Sequence, residues 1–190
     1  MYVEGSFLGE KMFQIRIHGR GGQGVVTAAE MLSIAAFLEG KDAQAFPSFG
    51  SERMGAPVVA FCRISEKEIR SREPILNPDA IIVQDKTVIE PARAFEGIVD
   101  NGFMLINSPT EVETNLKNVR VRCIGATEIA LEQVGRPIPN AVLLGSFAAL
   151  TGTIKIDSVV KAINTKFSGK IAEKNIKAAQ VAYEKTLGER

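Results

Sequence analysis

The 190-residue chain contains one histidine, two cysteines and no tryptophan. Each scarcity closes off some chemistry. A lone histidine, His18, argues against a structural zinc site of the usual Cys and His composition. Cys62 and Cys123 stand far apart in sequence, and an iron–sulfur cluster usually takes four thiolates. Both lie in apolar, strand-like contexts, AFCRI and VRCIG, and read as buried free thiols suited to a reducing cytoplasm. A surplus of charge is missing too. Lys plus Arg number 23 against 22 Asp plus Glu, a net charge of +1, which argues against nonspecific binding to DNA or to acidic membranes. No segment approaches the roughly 20 apolar residues of a membrane span. The opening MYVEGSFLGEK lacks the basic start and apolar stretch of a signal peptide. The expectation is a cytoplasmic protein with neither membrane nor nucleic acid as partner.

What remains is enough for one domain with a real core. Hydrophobic residues make up 45% and charged residues 24%, and a chain of this size buries about 70% of its unfolded surface. Residues 1–12 read as an N-terminal extension, with Met12 an alternative start, and 13–190 as the domain.

The segment 13–19 (FQIRIHG) alternates and is β-rich, so it predicts a strand. A glycine turn follows over 19–24, then a helix over 25–39 closed by Gly40. Residues 42–46 suggest a second strand, 46–56 a long loop rich in Gly, Ser and Pro, and 57–65 the strongest strand by β-branched content. EIRSREPI (68–75) reads as the hairpin partner of that strand. Short apolar runs at 80–85, 102–108 and 119–125 have the form of buried parallel strands. Helices are expected at 127–135, at 140–152 with Asn140 as N-cap, at 156–167 opening on Asp157, and at 170–187. The fold class is α/β: a single Rossmann-like, doubly wound domain with a mostly parallel sheet, a β-hairpin insertion and a helical C-terminus. The helix over 140–152 is apolar on nearly every side; it reads as core or as a helix half buried in a partner subunit.

Gly19, Gly21 and Gly24 fit G-x-G-x-x-G between a strand and a helix, the context a dinucleotide fold requires. Glycines let the backbone approach a phosphate, and the first-turn N–H groups of the helix point at it. The alternative is a tight turn without a ligand. NAD itself is disfavoured. The acidic residue about 20 positions on that would hold the ribose hydroxyls is missing, because that region reads QAFPSFGS.

Arg20, Arg53, Arg63, Arg70 and Arg72 could form an oxygen clamp if they converge. Arg70 and Arg72 read as solvated; Arg20 and Arg53, flanked by glycines, remain open. His18 reads as a hydrogen-bonded core residue, and Ser48 and Ser51 have no base beside them. Asp85 ends a buried strand and either faces a ligand or caps the helix that starts at Thr87.

Taken together, GRGGQGVVTAAEML, PSFGSERMGAPVVAFCRIS, REPI, PDAIIVQD and NAVLLGSFAAL resemble the gamma subunits of 2-oxoacid:ferredoxin oxidoreductases. The resemblance runs from about residue 13 to about 185. The stretch from Arg53 to Ile64 resembles the pyruvate-type members, with Met54 where a second basic residue is expected. It implies a subunit of a complex that oxidatively decarboxylates a 2-oxoacid and passes electrons to ferredoxin. Thiamine diphosphate, Mg and 4Fe-4S clusters are then expected on alpha, beta and delta partner subunits, with ferredoxin an indirect partner. This chain would bind no cofactor tightly and have no catalytic residue of its own. It would contribute to binding coenzyme A (CoA), a substrate, through Gly19, Arg20, Gly21, Gly22, Gln23, Gly24 and Arg53. The alternatives are a free-standing nucleotide- or flavin-binding reductase and a purely structural subunit whose 46–58 loop is an interface.

Overall fold

In a computed structural model, which describes residues 12–48 and 54–188, the first strand takes the centre of a six-stranded sheet. The strands are β1 (Phe13–Arg20), β2 (Asp42–Pro47), β3 (Pro57–Ser65), β4 (Ala80–Val83), β5 (Phe103–Asn107) and β6 (Arg120–Ile124), in the order β2-β3-β1-β4-β5-β6. β1, β4, β5 and β6 run parallel. β3 pairs antiparallel with both β1 and β2. The helices are α1 (Val25–Phe37), α2 (Ala126–Val134), α3 (Asn140–Thr151), α4 (Ile156–Lys166) and α5 (Gly169–Gly188). The expected α/β class, mostly parallel sheet and helical C-terminus are all present. The N-terminal extension, apart from Met12, lies outside the described residues.

One expected pairing is wrong. The hairpin partner of β3 is β2, from Asp42 opposite Ser65 to Pro47 opposite Ala60, and 68–75 forms no strand. With β1 and β2 holding both edges of β3, the chain after Ser65 has no free ladder to join. It crosses the sheet instead, where buried Arg63 donates to the carbonyls of Ser71 and Glu73 and stacks 5.0 Å over the Phe46 ring.

Side-chain alternation sends the strands' residues to two unequal layers. Ile15, Ile17, Cys62, Ala80, Ile82 and Leu105 pack beneath all five of these helices. Ile81, Val83, Met104 and Ile106 pack on the other face against Val88 and Ala94, in a 3-10 turn (Lys86–Val88) and the segment after it. The second layer is thus irregular chain rather than helix. Both faces are covered, which is why β4 is buried from end to end.

On that second face β1 presents Arg16 and His18. Arg16, 9% exposed, donates to His18 Nε2 at 3.0 Å and to the carbonyls of Ile75, Ala94 and Glu96. It ties the irregular layer to the sheet. Burial, partly offset by the Glu96 charge, lowers its pKa.

α3 is a core helix of this chain: Ala141 to Ala149 are buried between the sheet and α5, so its apolar circumference needs no partner subunit. Asn140 is not its cap, since no side chain caps α3; the Asn140 amide donates instead to Gly24 O at 3.1 Å. α4 likewise starts from an uncapped Lys155, with Asp157 in its first turn. α2 is capped from outside. Asn107, at the end of β5, accepts from Ala126 N–H at 2.9 Å and Thr127 N–H at 3.1 Å. Asn107→Ala is expected to lose about 1–2 kcal/mol of stability, read as a lower urea midpoint with an unchanged m-value.

Candidate functional site

The carboxyl ends of β1 and β4 lie side by side, and the chain departs from them in opposite directions across the sheet. Open α/β sheets bind ligands at such a switch point. The glycine turn occupies it.

Gly24 caps the start of α1 at φ 73°, a left-handed conformation, and no side chain caps the helix. A Cβ on Gly24 would stand 2.4 Å from Asn140 Nδ2, so both backbone angle and space demand glycine. Residues 54–56 lie across the turn. Gly21 N–H donates to Ala56 O at 2.9 Å, and Gly55 N–H donates to Gly21 O at 3.1 Å. Gln23 N–H is also occupied, by Arg20 O at 3.0 Å. Of the amides expected to meet an anion, Gly21 and Gln23 are therefore committed internally. The Gly22 and Gly24 amides and the uncapped first turn of α1 are what remain among the described residues.

Gln23 braces the turn from inside. Its Oε1 accepts from Arg20 N–H at 2.8 Å, and its Nε2 donates to Asp85 Oδ2 at 3.0 Å. Asp85 is the cap that was one of its two expected roles, and its second oxygen turns to the glycine turn. Oδ1 caps the 3-10 turn, accepting from Thr87 N–H at 2.9 Å and from its hydroxyl at 2.6 Å. Oδ2 faces Gln23 and Arg20. Burial works to raise the Asp85 pKa, but the Thr87 and Gln23 hydrogen bonds and the Arg20 charge outweigh it and hold the carboxyl below its ordinary value.

Arg20 lies across the same corner. Its Nε and Nη2 donate to Thr87 Oγ1 at 3.0 and 2.6 Å, its Nη1 donates to Gly55 O at 2.8 Å, and Nε stands 3.4 Å from Asp85 Oδ2. The site floor carries buried polar groups. Gln84 is 1% exposed, follows β4, and has both amide atoms without a protein partner among the described residues. Its Cβ lies 3.2 Å from where a Cβ on Gly19 would be. Asn140 Oδ1 is likewise buried and unpartnered beside Gly24.

Gly19, Arg20, Gly21, Gly22, Gln23 and Gly24 are thus gathered at one point, whereas Arg53 lies outside the described residues. Arg63 is buried and engaged elsewhere, and Arg70 pairs with Glu68 at 2.9 Å on the surface. Thr87, Gln84 and Asn140 were missed as neighbours of the turn. A polar Gln closing the apolar run AIIV was a usable signal; Thr87 and Asn140 offered none, because their proximity is purely tertiary. Met54 is 86% exposed, and its Cε lies 2.8 Å from where a Cβ on Gly22 would be.

His18 is the core residue expected. Burial, with the Arg16 charge adding to it, lowers its pKa to about 3, so it is neutral at physiological pH. The described residues do not fit a metal or cluster: no group of three or more His, Cys, Asp or Glu converges. Cys62 lies in the helix-side core with its thiol pushed up to about 12, and Cys123 packs against the opposite layer. No helix among the described residues is long and apolar enough to cross a membrane.

Residues 14–185 match the family model described as pyruvate ferredoxin/flavodoxin oxidoreductase. Pyruvate synthase subunit PorC of Methanothermobacter marburgensis is 50% identical over 174 residues, covering 92% of this chain and 97% of that protein. The pyruvate/ketoisovalerate oxidoreductases common subunit gamma of Pyrococcus abyssi is 48% identical over 180 residues, covering 92% and 97%. The crystal structure of the pyruvate oxidoreductase subunit PORC from Thermotoga maritima superposes with a TM-score of 0.81 at 37% identity, covering 92% of this chain and 96% of that one. These relatives are subunits matched along almost their whole length, and none supports the free-standing reductase. The chain belongs to the pyruvate ferredoxin/flavodoxin oxidoreductase family, as a gamma subunit of a 2-oxoacid:ferredoxin oxidoreductase complex.

Proposed function

We propose that this subunit works in the cytoplasm with alpha, beta and delta partners, and that its glycine turn holds a phosphate of CoA beside the active centre. The complex then converts pyruvate, CoA and oxidised ferredoxin to acetyl-CoA, carbon dioxide and reduced ferredoxin, reversibly. Thiamine diphosphate, Mg and 4Fe-4S clusters belong to the partners in this reading; among the described residues of this chain no group of three or more His, Cys, Asp or Glu converges on a metal. Pyruvate follows from the relatives' names; the shared gamma subunit of Pyrococcus abyssi supports a division of labour in which other subunits select the oxoacid.

The observation that carries the CoA assignment is the uncapped N-terminus of α1 at the switch point between β1 and β4. A phosphate there meets converging N–H groups and the positive end of the helix dipole, about 0.3–1 kcal/mol per charge for the dipole alone. Arg20, and Arg53 one residue before Met54 in the sequence, supply charge-assisted hydrogen bonds to it.

The test uses the assembled complex. Arg20→Ala and Arg53→Ala are each expected to raise the KM for CoA roughly tenfold, the size of one lost charge-assisted hydrogen bond, with the KM for the oxoacid unmoved. The purely structural alternative makes a different prediction. If these residues only press against a partner, the variants loosen the complex and lower every activity together.

A further inference from the structure

Arg20 is held in a way that a ligand clamp does not require. Its Nε, Nη1 and Nη2 all have protein acceptors, and Asp85 beside it compensates its charge. Thr87 Oγ1 is the centre of this arrangement. It accepts from two nitrogens of Arg20 and donates its own proton to Asp85 Oδ1 at 2.6 Å. That leaves it a saturated acceptor, aligned for the guanidinium. The brace on the glycine turn is separate: it runs from Arg20 N–H through the Gln23 amide to Asp85 Oδ2 and does not pass through the Thr87 hydroxyl.

We propose that Thr87 and Asp85 form a dock that competes with the anionic ligand for Arg20, so that a phosphate taking the Nε and Nη2 side of the guanidinium draws it away from them, and that this competition tunes the affinity for CoA. The inference rests on the glycine turn being the CoA phosphate site. It makes Thr87 and Asp85 positioning residues acting through Arg20, and Gln23 the residue that keeps the turn in shape while Arg20 moves. The dock is partly exposed, with the Arg20 and Asp85 side chains at 32% and 20% accessibility. The competition is therefore modest, because exposed ion pairs are weak. A weak dock suits a substrate that must bind and leave each turnover.

The experiment measures the KM for CoA in the assembled complex for a double-mutant cycle. Thr87→Val removes the hydroxyl and keeps both the Thr87-position N–H cap on Asp85 and the Gln23 brace. It is expected to lower the KM for CoA about two- to fivefold. Arg20→Ala raises the KM, and in that background Thr87→Val has no effect, because its effect passes through Arg20. A threonine acting only in folding would not show this dependence. The proposal is overturned if Arg20→Ala raises the KM while Thr87→Val leaves it unchanged or raises it. If Arg20→Ala itself leaves the KM for CoA unmoved, it is the phosphate-site reading that fails, and the two failures are thereby told apart.

Discussion

Lowering the pH from 6.5 to 4 is expected to remove about 3 kcal/mol of the chain's stability through His18 alone. The cause is location: the imidazole is 2% exposed, accepts a hydrogen bond from the Arg16 guanidinium and has no acid beside it among the described residues. Its folded pKa is about 3 against an ordinary 6.5. Between those values the unfolded chain binds a proton that the folded chain refuses, so the contribution is fully present above the unfolded pKa and is lost as the pH falls toward the folded one. Urea denaturation of the purified subunit across this range reads the slope. His18→Gln, uncharged at every pH and still able to accept from Arg16, is expected to flatten the curve over the same window. A variant that keeps the wild-type slope would place the acid sensitivity elsewhere. Asp85 and Glu39, whose carboxyls are held below their ordinary values, lose their contributions at lower pH.

Gly145→Ala is expected to cost about 3 kcal/mol, although in an isolated helix the same change would gain nearly 1 kcal/mol. Gly145 lies mid-helix in α3 where α5 crosses it. A Cβ there would stand 2.0 Å from the Ala179 carbonyl oxygen and 2.7 Å from its carbon. Those are backbone atoms of a packed helix, so no side chain can rotate aside. The helices must separate, and the contacts of Phe147, Ala178 and Ala182 in the same cluster go with them. For a chain of this size the loss corresponds to roughly 6–12 °C in Tm, measured by calorimetry. A neutral or stabilised variant would mean that α3 and α5 do not approach this closely in solution.

Both predictions rest on contacts that could not be read from the neighbours in sequence. His18 reads as a core histidine from the strand around it, but nothing in FQIRIHG says that Arg16 is buried beside it. A strand with arginine and histidine alternating against isoleucine looks half-solvated. It is buried on both faces because residues 75–98 fold back and offer three carbonyls to the guanidinium. Gly145 within NAVLLGSFAAL carries no mark of a helix crossing. The hairpin was misplaced for a related reason. EIRSREPI has a fair strand pattern, but both edges of β3 were already taken.

Local pattern settled a good deal. The period of two in β1 and β3, the apolar runs that became β4, β5 and β6, the helix-forming tail and the G-x-G-x-x-G between strand and helix all follow from nearest-neighbour preference. So does the family, whose motifs are contiguous strings. Tertiary contact settled the rest, because those choices are made between residues far apart in the chain. Asn140 has an N-cap's composition but spends its amide on Gly24, 116 residues away. Arg20 has the fork of a phosphate clamp but rests on Thr87, 67 residues away. A side chain's type fixes which bonds it can make, and the fold brings the partner that determines which bond it does make.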